Sequence, residues 1–158
     1  MINTTLRFLC VFALGAWVGS IFYFSAAVAP GAFRVLSQDQ AGLVVEFTLW
    51  RLHVMGEVCA AIFLLAATGL ALTTKGAGRT LLLPIVGVVA MLVLTLVSQR
   101  VVVRRMSDLR RQMVSVSATP PENPLRAEFD RLHPISVNLE GAVLLIGFVS
   151  LFLTARLK

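Results

Sequence analysis

The 158-residue chain is poor in charge, in cysteine and in histidine. Only 14% of its residues are charged, whereas 58% are hydrophobic and the mean hydropathy is +0.87. Soluble domains are about 25% charged and about 45–50% apolar, so the composition excludes an ordinary soluble domain. The sequence therefore predicts an integral membrane protein, with the lipid bilayer as its main partner.

The two cysteines and two histidines are too few for most metal or nucleophilic sites. Cys10 and Cys59 each lie near the start of an apolar stretch, and antiparallel spans would put them at opposite membrane faces, too far apart for a disulfide. No Cys or Asp cluster completes a zinc set. The sequence has no nucleophile triad, glycine-rich phosphate loop or nucleic-acid motif, so we expect no metal site, no nucleic-acid partner and no enzymatic activity.

Four apolar stretches are long enough to cross a hydrocarbon core of about 30 Å, which takes about 20 helical residues. They cover approximately residues 8–29, 52–74, 80–99 and 134–155. The first is too long for the apolar region of a signal peptide, and we interpret it as a retained span. The pattern predicts an all-α, four-helix antiparallel bundle that forms one membrane domain over residues 1–158, in the inner membrane if the protein is bacterial.

Helices should extend beyond the bilayer on one side, which we call the long side. Ser37 and Gln40 fit a capping box, so the second helix should begin well before its membrane part. The third helix should continue past Arg100 to Val114, because the arginines in that stretch give it a solvated face.

The fourth helix should begin at Asn123 and Pro124, which suit the N-cap and the first helical position, and should bend near Pro134. Both termini and the tight turn at residues 75–79 then share the opposite face, the short side. Lys and Arg residues are more numerous on the long side, which favours a cytoplasmic long side.

Gly15 and Gly19 form a G-x-x-x-G motif in the first span. Small residues at this spacing allow two helices to approach closely. Packing within the chain is the preferred interpretation, and a contact with a second copy in a homo-oligomer is the alternative.

The candidate site consists of the few ionisable residues in or beside the apolar stretches. Glu57 and Glu140 are the only carboxylates there, and each follows a histidine, His53 or His133, that ends an Arg-Leu-His tripeptide. Counting about 1.5 Å per residue from the short-side charges places both histidines and Arg100 in one layer at the long-side boundary. The glutamates then lie a few ångströms inside it. The repeated tripeptide also suggests a tandem duplication of two hairpins, residues 1–75 and 76–158.

Other polar residues belong to the same level of the bundle. Ser136 lies near the helical face of His133, whereas Asn138 points away from it. Ser98 and Gln99 of the third span, with Tyr23 and Ser25 of the first, are further candidates. Together these residues predict a partly hydrated cup closed from below by apolar side chains.

Three interpretations of this layer remain open. In the preferred one, His53, Glu57, Arg100, His133, Ser136 and Glu140 bind or pass a small solute or ion, with arginine favouring anions and the carboxylates favouring cations or protons. In the second, the histidines supply axial ligands to a haem or porphyrin. In the third, the glutamates pair with Arg51, Arg100 or Arg131 and only hold together a structural or accessory subunit.

Several short stretches resemble the transmembrane protein 205-like family. They are Gly15-Ala16-Trp17, Pro30, Phe33, Ala41-Gly42-Leu43-Val44 before His53, Arg100, and Phe129-Asp130-Arg131-Leu132-His133 with Ser136 and Asn138. The resemblance implies a four-span membrane protein with no accepted catalytic residues, whose recurrent histidines correspond to His53 and His133. Bacterial members are mostly described only as a domain of unknown function, and animal members are associated with drug resistance.

Overall fold

The computed structural model describes residues 2–156 and consists of four long helices. Helix α1 covers Ile2–Val35, α2 covers Gln38–Thr73, α3 covers Ala77–Met113 and α4 covers Pro124–Ala155. No strand occurs among residues 2–156. The helices have 32 to 37 residues, or about 48–56 Å at 1.5 Å per residue, so each is longer than the hydrocarbon core. The predicted all-α fold with four long apolar helices is confirmed.

The four helices form a square in chain order. Helix α1 packs against α2 and α4, and α3 packs against the same two helices. Successive helices are neighbours joined by short connections, so they run antiparallel. Gly76 makes the connection between α2 and α3 possible, because its φ of 82° is a left-handed conformation that favours glycine. This turn is shorter than predicted, since α3 already begins at Ala77.

The predicted helix ends on the long side are confirmed. The Ser37 hydroxyl accepts a hydrogen bond from the Gln40 backbone N–H, which forms the capping box of α2. The Asn123 side chain caps α4 by accepting a hydrogen bond from the Leu125 N–H at 2.9 Å. Helix α3 continues to Met113, and α4 is continuous through Pro134.

Apolar side chains face both the interior and the outside of the bundle. The interior of the short-side half is closely packed, with fully buried Trp17, Phe63, Leu70, Leu81 and Met91. Leu65, Leu72, Leu83 and Leu145 are 67–83% exposed on the outer surface. Exposure of so many leucines is unfavourable in water but favourable in contact with lipid tails. The four helices therefore fit a multi-pass membrane protein.

Close helix contacts occur at other glycines than those of the G-x-x-x-G motif. Apart from its own helix, no atom of residues 2–156 lies within 4 Å of a Cβ added at Gly15 or Gly19. No other helix of residues 2–156 therefore approaches these two glycines closely, and a packing role for the motif, within the chain or with a second copy, stays a prediction. In contrast, a Cβ added at Gly56 would lie 2.5 Å from the indole nitrogen of Trp17, so α1 and α2 meet closely there.

Candidate functional site

A buried polar cluster joins three helices near the centre of the bundle. His53 Nε2 on α2 lies 2.5 Å from Glu140 Oε1 on α4, and the two residues are 1% and 8% exposed. Ser98 on α3 donates its hydroxyl to the same carboxylate oxygen at 3.2 Å. Because α2 and α4 occupy opposite corners of the square, the His53–Glu140 contact crosses the bundle diagonally.

The two ring nitrogens of His53 differ in their surroundings. Nε2 contacts the Glu140 carboxylate, whereas Nδ1 is buried and has no hydrogen-bond partner among residues 2–156. The imidazole is therefore held through one of its two nitrogens.

Two π-helical segments lie at the level of this cluster. They are Phe24–Val28 in α1 and Ser98–Val103 in α3. A π-helical turn changes the phase of the side chains that follow, and such turns are frequent at functional sites. The second segment begins at Ser98, the residue that donates to Glu140.

A cavity of about 580 Å³ lies on the long side of the cluster and is lined by all four helices. Glu140 and Ser136 are buried and form part of its floor, whereas His133 is exposed at its edge. Most of the walls are apolar. They include Phe24, Ala29, Phe33, Val45, Leu49, Val103, Phe129, Val137 and Leu144.

The cavity opens sideways between α1 and α4. Residues 2–23 of α1 pack against α4, whereas residues 29–35 pack mainly against α2, so the two helices diverge towards the long side. Residues that line the cavity are exposed on both edges of this gap, Pro30 and Phe33 on α1 and His133 and Val137 on α4. A molecule dissolved in the outer part of the bilayer could therefore enter without crossing the protein core.

Arg110 of α3 is held against the wall of the cavity by three residues. Its guanidinium lies where a side chain at residue 42 would stand, so Gly42 is needed for this contact. The guanidinium carbon is 5.5 Å from the centre of the Phe129 ring, within the range of a cation–π interaction. The Nε atom is 3.3 Å from Glu46 Oε2, close enough for an ion pair but without hydrogen-bond alignment.

Arg126 of α4 contacts a carboxylate and a backbone carbonyl. Its Nε atom lies 2.8 and 3.0 Å from the two carboxylate oxygens of Asp130, one helical turn later. Its Nη1 atom donates to the Val116 carbonyl in the loop between α3 and α4. Arg126 and Arg110 are thus each paired with a carboxylate of the lining, Asp130 and Glu46 respectively.

Asp39 at the start of α2 forms hydrogen bonds that hold the loop between α3 and α4 in place. Its carboxylate accepts hydrogen bonds from the hydroxyls of Ser115 and Ser117, both at 2.7 Å, and from the Val116 backbone N–H at 3.0 Å. These hydrogen bonds, with that of Ser115 the largest cause, lower the pKa of Asp39 from 3.8 to about 2. The loop begins with a γ-turn in which Val114 has a φ of 64° and the Ser115 N–H donates to the Met113 carbonyl. This conformation is rare and strained.

The charges that line the cavity sum to −2. Four carboxylates, those of Asp39, Glu46, Asp130 and Glu140, face two arginines, Arg110 and Arg126, so that −4 + 2 = −2 with a neutral His133. Several polar groups of the lining have no hydrogen-bond partner among residues 2–156, including the imidazole of His133, the hydroxyl of Ser136 and Oε2 of Glu140. These groups are available to a ligand.

The structure divides the predicted layer into two sites. His53, Ser136, Glu140 and His133 lie in or beside the cavity. Glu57 and Arg100 line a separate groove between α2 and α3, together with Gln99. Of the further candidates, Ser98 bonds to Glu140 and Ser25 lines the cavity, while Tyr23 is 66% exposed.

Two arrangements suggested by the sequence are not formed. Glu140 pairs with His53, and no arginine of residues 2–156 lies within ion-pair distance of Glu57 or Glu140. The two histidines do not face a common gap, because His53 is buried against Glu140 and does not line the cavity. Within residues 2–156, no group of three or more His, Cys, Asp and Glu side chains is placed to hold a metal.

Sequence reasoning missed the Arg110 contact with Gly42 and the carboxylate of Asp39 that holds the loop. Neither has a local signal, since the partners are 68 and 76 positions apart in the chain. It also missed the two π-helical segments, whose sequences are ordinary for an apolar helix.

The fold and this site define a four-span, all-α integral membrane protein. The chain belongs to the family described as Domain of unknown function (DUF4149), whose match covers residues 12–115. The matched region, 104 of 158 residues, includes His53, Ser98 and Arg110, while Glu140 lies beyond it. A search of curated proteins finds no match, and neither does a search of solved structures.

Proposed function

We propose that this membrane protein binds a small lipophilic molecule that carries a positive charge or a strong hydrogen-bond donor, in the cavity between α1 and α4. The observation that carries the proposal is the Oε2 atom of Glu140, which has no hydrogen-bond partner among residues 2–156 and stands at the floor of a largely apolar cavity. Binding cavities for small molecules commonly combine apolar walls with a few polar groups and measure about 300–1,000 Å³. The cavity of about 580 Å³ is within that range.

The sign of the ligand's charge follows from the groups that are free. Both arginines of the cavity are engaged with carboxylates or with an aromatic ring, and the lining carries a formal charge of −2. An anion would therefore meet net repulsion in a site of low dielectric constant, where charges interact strongly. A cation or N–H donor would instead complete the hydrogen bonding of Glu140.

Binding is better supported than conduction through a single chain. Beyond the His53–Glu140 pair the interior is filled by Val143, Met91 and Phe63, all completely buried. A dry apolar plug of this kind offers no hydration to an ion. Conduction, the rival interpretation, would need a pathway built between copies in a homo-oligomer.

Fluorescent probes that carry opposite charges on the same fluorophore provide the test. Dansylcadaverine carries a primary ammonium group, and dansylglycine carries a carboxylate on the same fluorophore. We expect purified protein in detergent to bind dansylcadaverine saturably, with enhanced and blue-shifted emission above that of empty micelles. Dansylglycine should bind at least tenfold more weakly, and equal or tighter binding of dansylglycine would contradict the proposed charge preference.

Two variants connect this binding to the cavity. Glu140→Gln removes the negative charge while keeping the side-chain shape, and should weaken dansylcadaverine binding by about tenfold or more, because a hydrogen bond to a charged group contributes about 1.5–3 kcal/mol. His133→Ala changes an exposed cavity residue and should keep the fold intact. Exposed Asn138 on the same helix does not line the cavity, so Asn138→Ala is the matched control and should bind the probe normally.

The haem interpretation predicts a different absorption spectrum. Bound haem would give a Soret absorption band that His53→Ala or His133→Ala would abolish. We expect colourless protein, since His53 uses its Nε2 atom on Glu140. A stoichiometric Soret band in the wild type would favour the haem interpretation over the binding of a lipophilic cation.

The proposal also includes the orientation of the chain in the bilayer and the identity of that membrane. It further includes a closer relationship to the transmembrane protein 205-like family. The excess of Lys and Arg on the long side supports a cytoplasmic cavity mouth, in the inner membrane of a bacterium. Reporter domains fused after residue 158 and inserted within 116–122 should then report opposite faces, with the internal one cytoplasmic.

An accessory subunit, the third interpretation, would bind neither dansyl probe.

A further inference from the structure

A groove on the outer surface between α2 and α3 carries the other half of the predicted layer. Its lining includes Trp50 and Glu57 on α2 and three arginines on α3, Arg100, Arg104 and Arg111. It lies on the other side of α2 and α3 from the cavity mouth and shares only Glu46, Val103 and Ser107 with the cavity lining. The groove faces the side of the bundle where lipid molecules would pack against the helices.

The three arginines form one stripe along α3, because all three line the same groove. All three are exposed, and none has an ion-pair partner within residues 2–156. By contrast, the neighbouring Arg105 and Arg110 of the same helix are paired with Glu128 and Glu46. The three arginines of the stripe therefore have no ion-pair partner, whereas the neighbouring Arg105 and Arg110 each have one.

The carboxylates in the groove do not cancel this charge. Glu46 also lines the groove but is occupied by Arg110, which leaves Glu57 and Asp108. Three arginines against these two acids sum to 3 − 2 = +1. The groove therefore has the opposite sign to the cavity.

The depth of these residues matches the headgroup layer of a bilayer. At 1.5 Å per residue, Arg100 lies about 31 Å from Arg79 at the short side, and Arg104 lies about 37 Å from it. Trp50 lies at about the same 37 Å from Lys75. The hydrocarbon core is about 30 Å thick, and the headgroups of both leaflets extend it to about 40–45 Å, or about 5–7 Å on each side. Arg100 therefore falls at the inner edge of the headgroup layer, and Arg104 and Trp50 fall at its outer edge. Trp50 is 53% exposed, as is typical of an interfacial tryptophan.

We propose that this groove binds the phosphate headgroup of an anionic phospholipid, with Arg100 and Arg104 on the phosphate and Trp50 beside the same headgroup. Basic pockets between membrane helices bind anionic headgroups through this combination of charge and depth. The acyl chains would extend along the exposed apolar surface of α2 and α3, where Val54, Val93 and Val97 are 37–53% exposed. This site adjoins the cavity, with which it shares Glu46, Val103 and Ser107, but its free charges have the opposite sign.

Quenching of tryptophan fluorescence by brominated lipids tests the site directly. Bromine on the acyl chain quenches only tryptophans in contact with that lipid, so free phosphate gives no signal. The chain has two tryptophans, and Trp17 is buried, so Trp50 is the reporter and Trp50→Phe supplies the background. Reconstituted wild-type protein should be quenched more strongly by brominated phosphatidylglycerol than by brominated phosphatidylcholine.

A matched pair of double variants separates a site from general surface charge. Arg100→Gln with Arg104→Gln removes two charges from the groove, and Arg34→Gln with Arg131→Gln removes two exposed long-side charges elsewhere. Each groove arginine should account for about fivefold in lipid preference, about 1 kcal/mol. The first pair should therefore abolish the preference, and the second should leave it nearly unchanged. Equal losses in both pairs, or no preference in the wild type, would overturn the proposal.

Discussion

The two Arg-Leu-His tripeptides lie at the same end of the bundle but end in different surroundings. His53 of α2 is 1% exposed and bonded to Glu140 across the bundle. His133 of α4 is exposed at the edge of the cavity and has no partner among residues 2–156. Identical local sequence at similar depth thus gives one structural histidine and one that is free to meet a ligand.

The divergence of α1 explains this difference. His133 lies seven residues before Glu140, so both residues share one face of α4. At the level of Glu140 that face meets α2 and α3, but at the level of His133 the final residues of α1 have turned towards α2. A neighbouring helix that bends away therefore exposes one histidine, while the other remains enclosed.

The largest expected loss of stability comes from breaking the buried His53–Glu140 pair. His53→Ala leaves the Glu140 carboxylate buried without its main partner and opens a void, so it should lower the free energy of unfolding by about 3–5 kcal/mol. His133→Ala, the matched change in the other tripeptide, should stay within about 0.5 kcal/mol of the wild type. Denaturation of both variants in detergent measures the contrast. Similar losses of stability in the two would show that the histidines do not differ as described.

Substitution of two glycines compares the closely packed short-side half of the bundle with the half that contains the cavity. A Cβ at Gly56 would meet the indole of Trp17 at 2.5 Å, so Gly56→Ala should cost about 1–3 kcal/mol by overpacking. A Cβ at Gly141, on the cavity wall, meets nothing within 4 Å. Gly141→Ala should therefore be neutral or stabilise α4 by up to about 1 kcal/mol. Thermal unfolding of the two variants in the same detergent checks the sign of each effect.

The smallest effect concerns the loop beside the cavity mouth. Asp39 has a pKa of about 2 in the folded chain, below its ordinary 3.8, because the Ser115 and Ser117 hydroxyls donate to its carboxylate. Its stabilising contribution is therefore present above pH 3.8 and is lost as the pH falls through about 2. Asp39→Asn should loosen the loop at neutral pH.

Hydrogen exchange of residues 114–122 provides the measurement for this loop. We expect faster exchange in Asp39→Asn than in the wild type at pH 7, with helix cores unchanged. Asp108→Asn is the control, since Asp108 lies on the same side of the bundle but makes no contact with the loop serines. Equal protection of the loop in Asp39→Asn and the wild type would remove Asp39 from this role.

The helix ends were predictable because their signals are local. The capping box at Ser37 and the cap at Asn123 each involve residues within three positions, and both are formed. The long apolar stretches likewise predicted four helices by length alone. Local chemistry is thus enough for the positions and ends of the helices.

The grouping of the polar residues was not predictable in the same way. Counting along a helix gives the depth of Glu57 and Arg100, but it does not say which neighbour each side chain faces. The direction depends on the rotation of four helices about their axes, and π-helical segments in α1 and α3 shift that rotation part-way along. Arg100, which lies within the second segment, faces the outer groove. Glu57 lines the same groove from α2, while His53 and Glu140 face the centre.

The most direct test of the binding cavity fills it without changing any charge. Gly141 lines the cavity and has open space around it, so Gly141→Leu should place a butyl-sized side chain in the ligand's volume while leaving Glu140, His53 and His133 in place. Gly15→Leu adds the same side chain at an equally open glycine outside the cavity and is the control. Titration with dansylcadaverine should show binding by the wild type and Gly15→Leu but not by Gly141→Leu. Undiminished binding by a folded Gly141→Leu protein would contradict the assignment of the cavity as the ligand site.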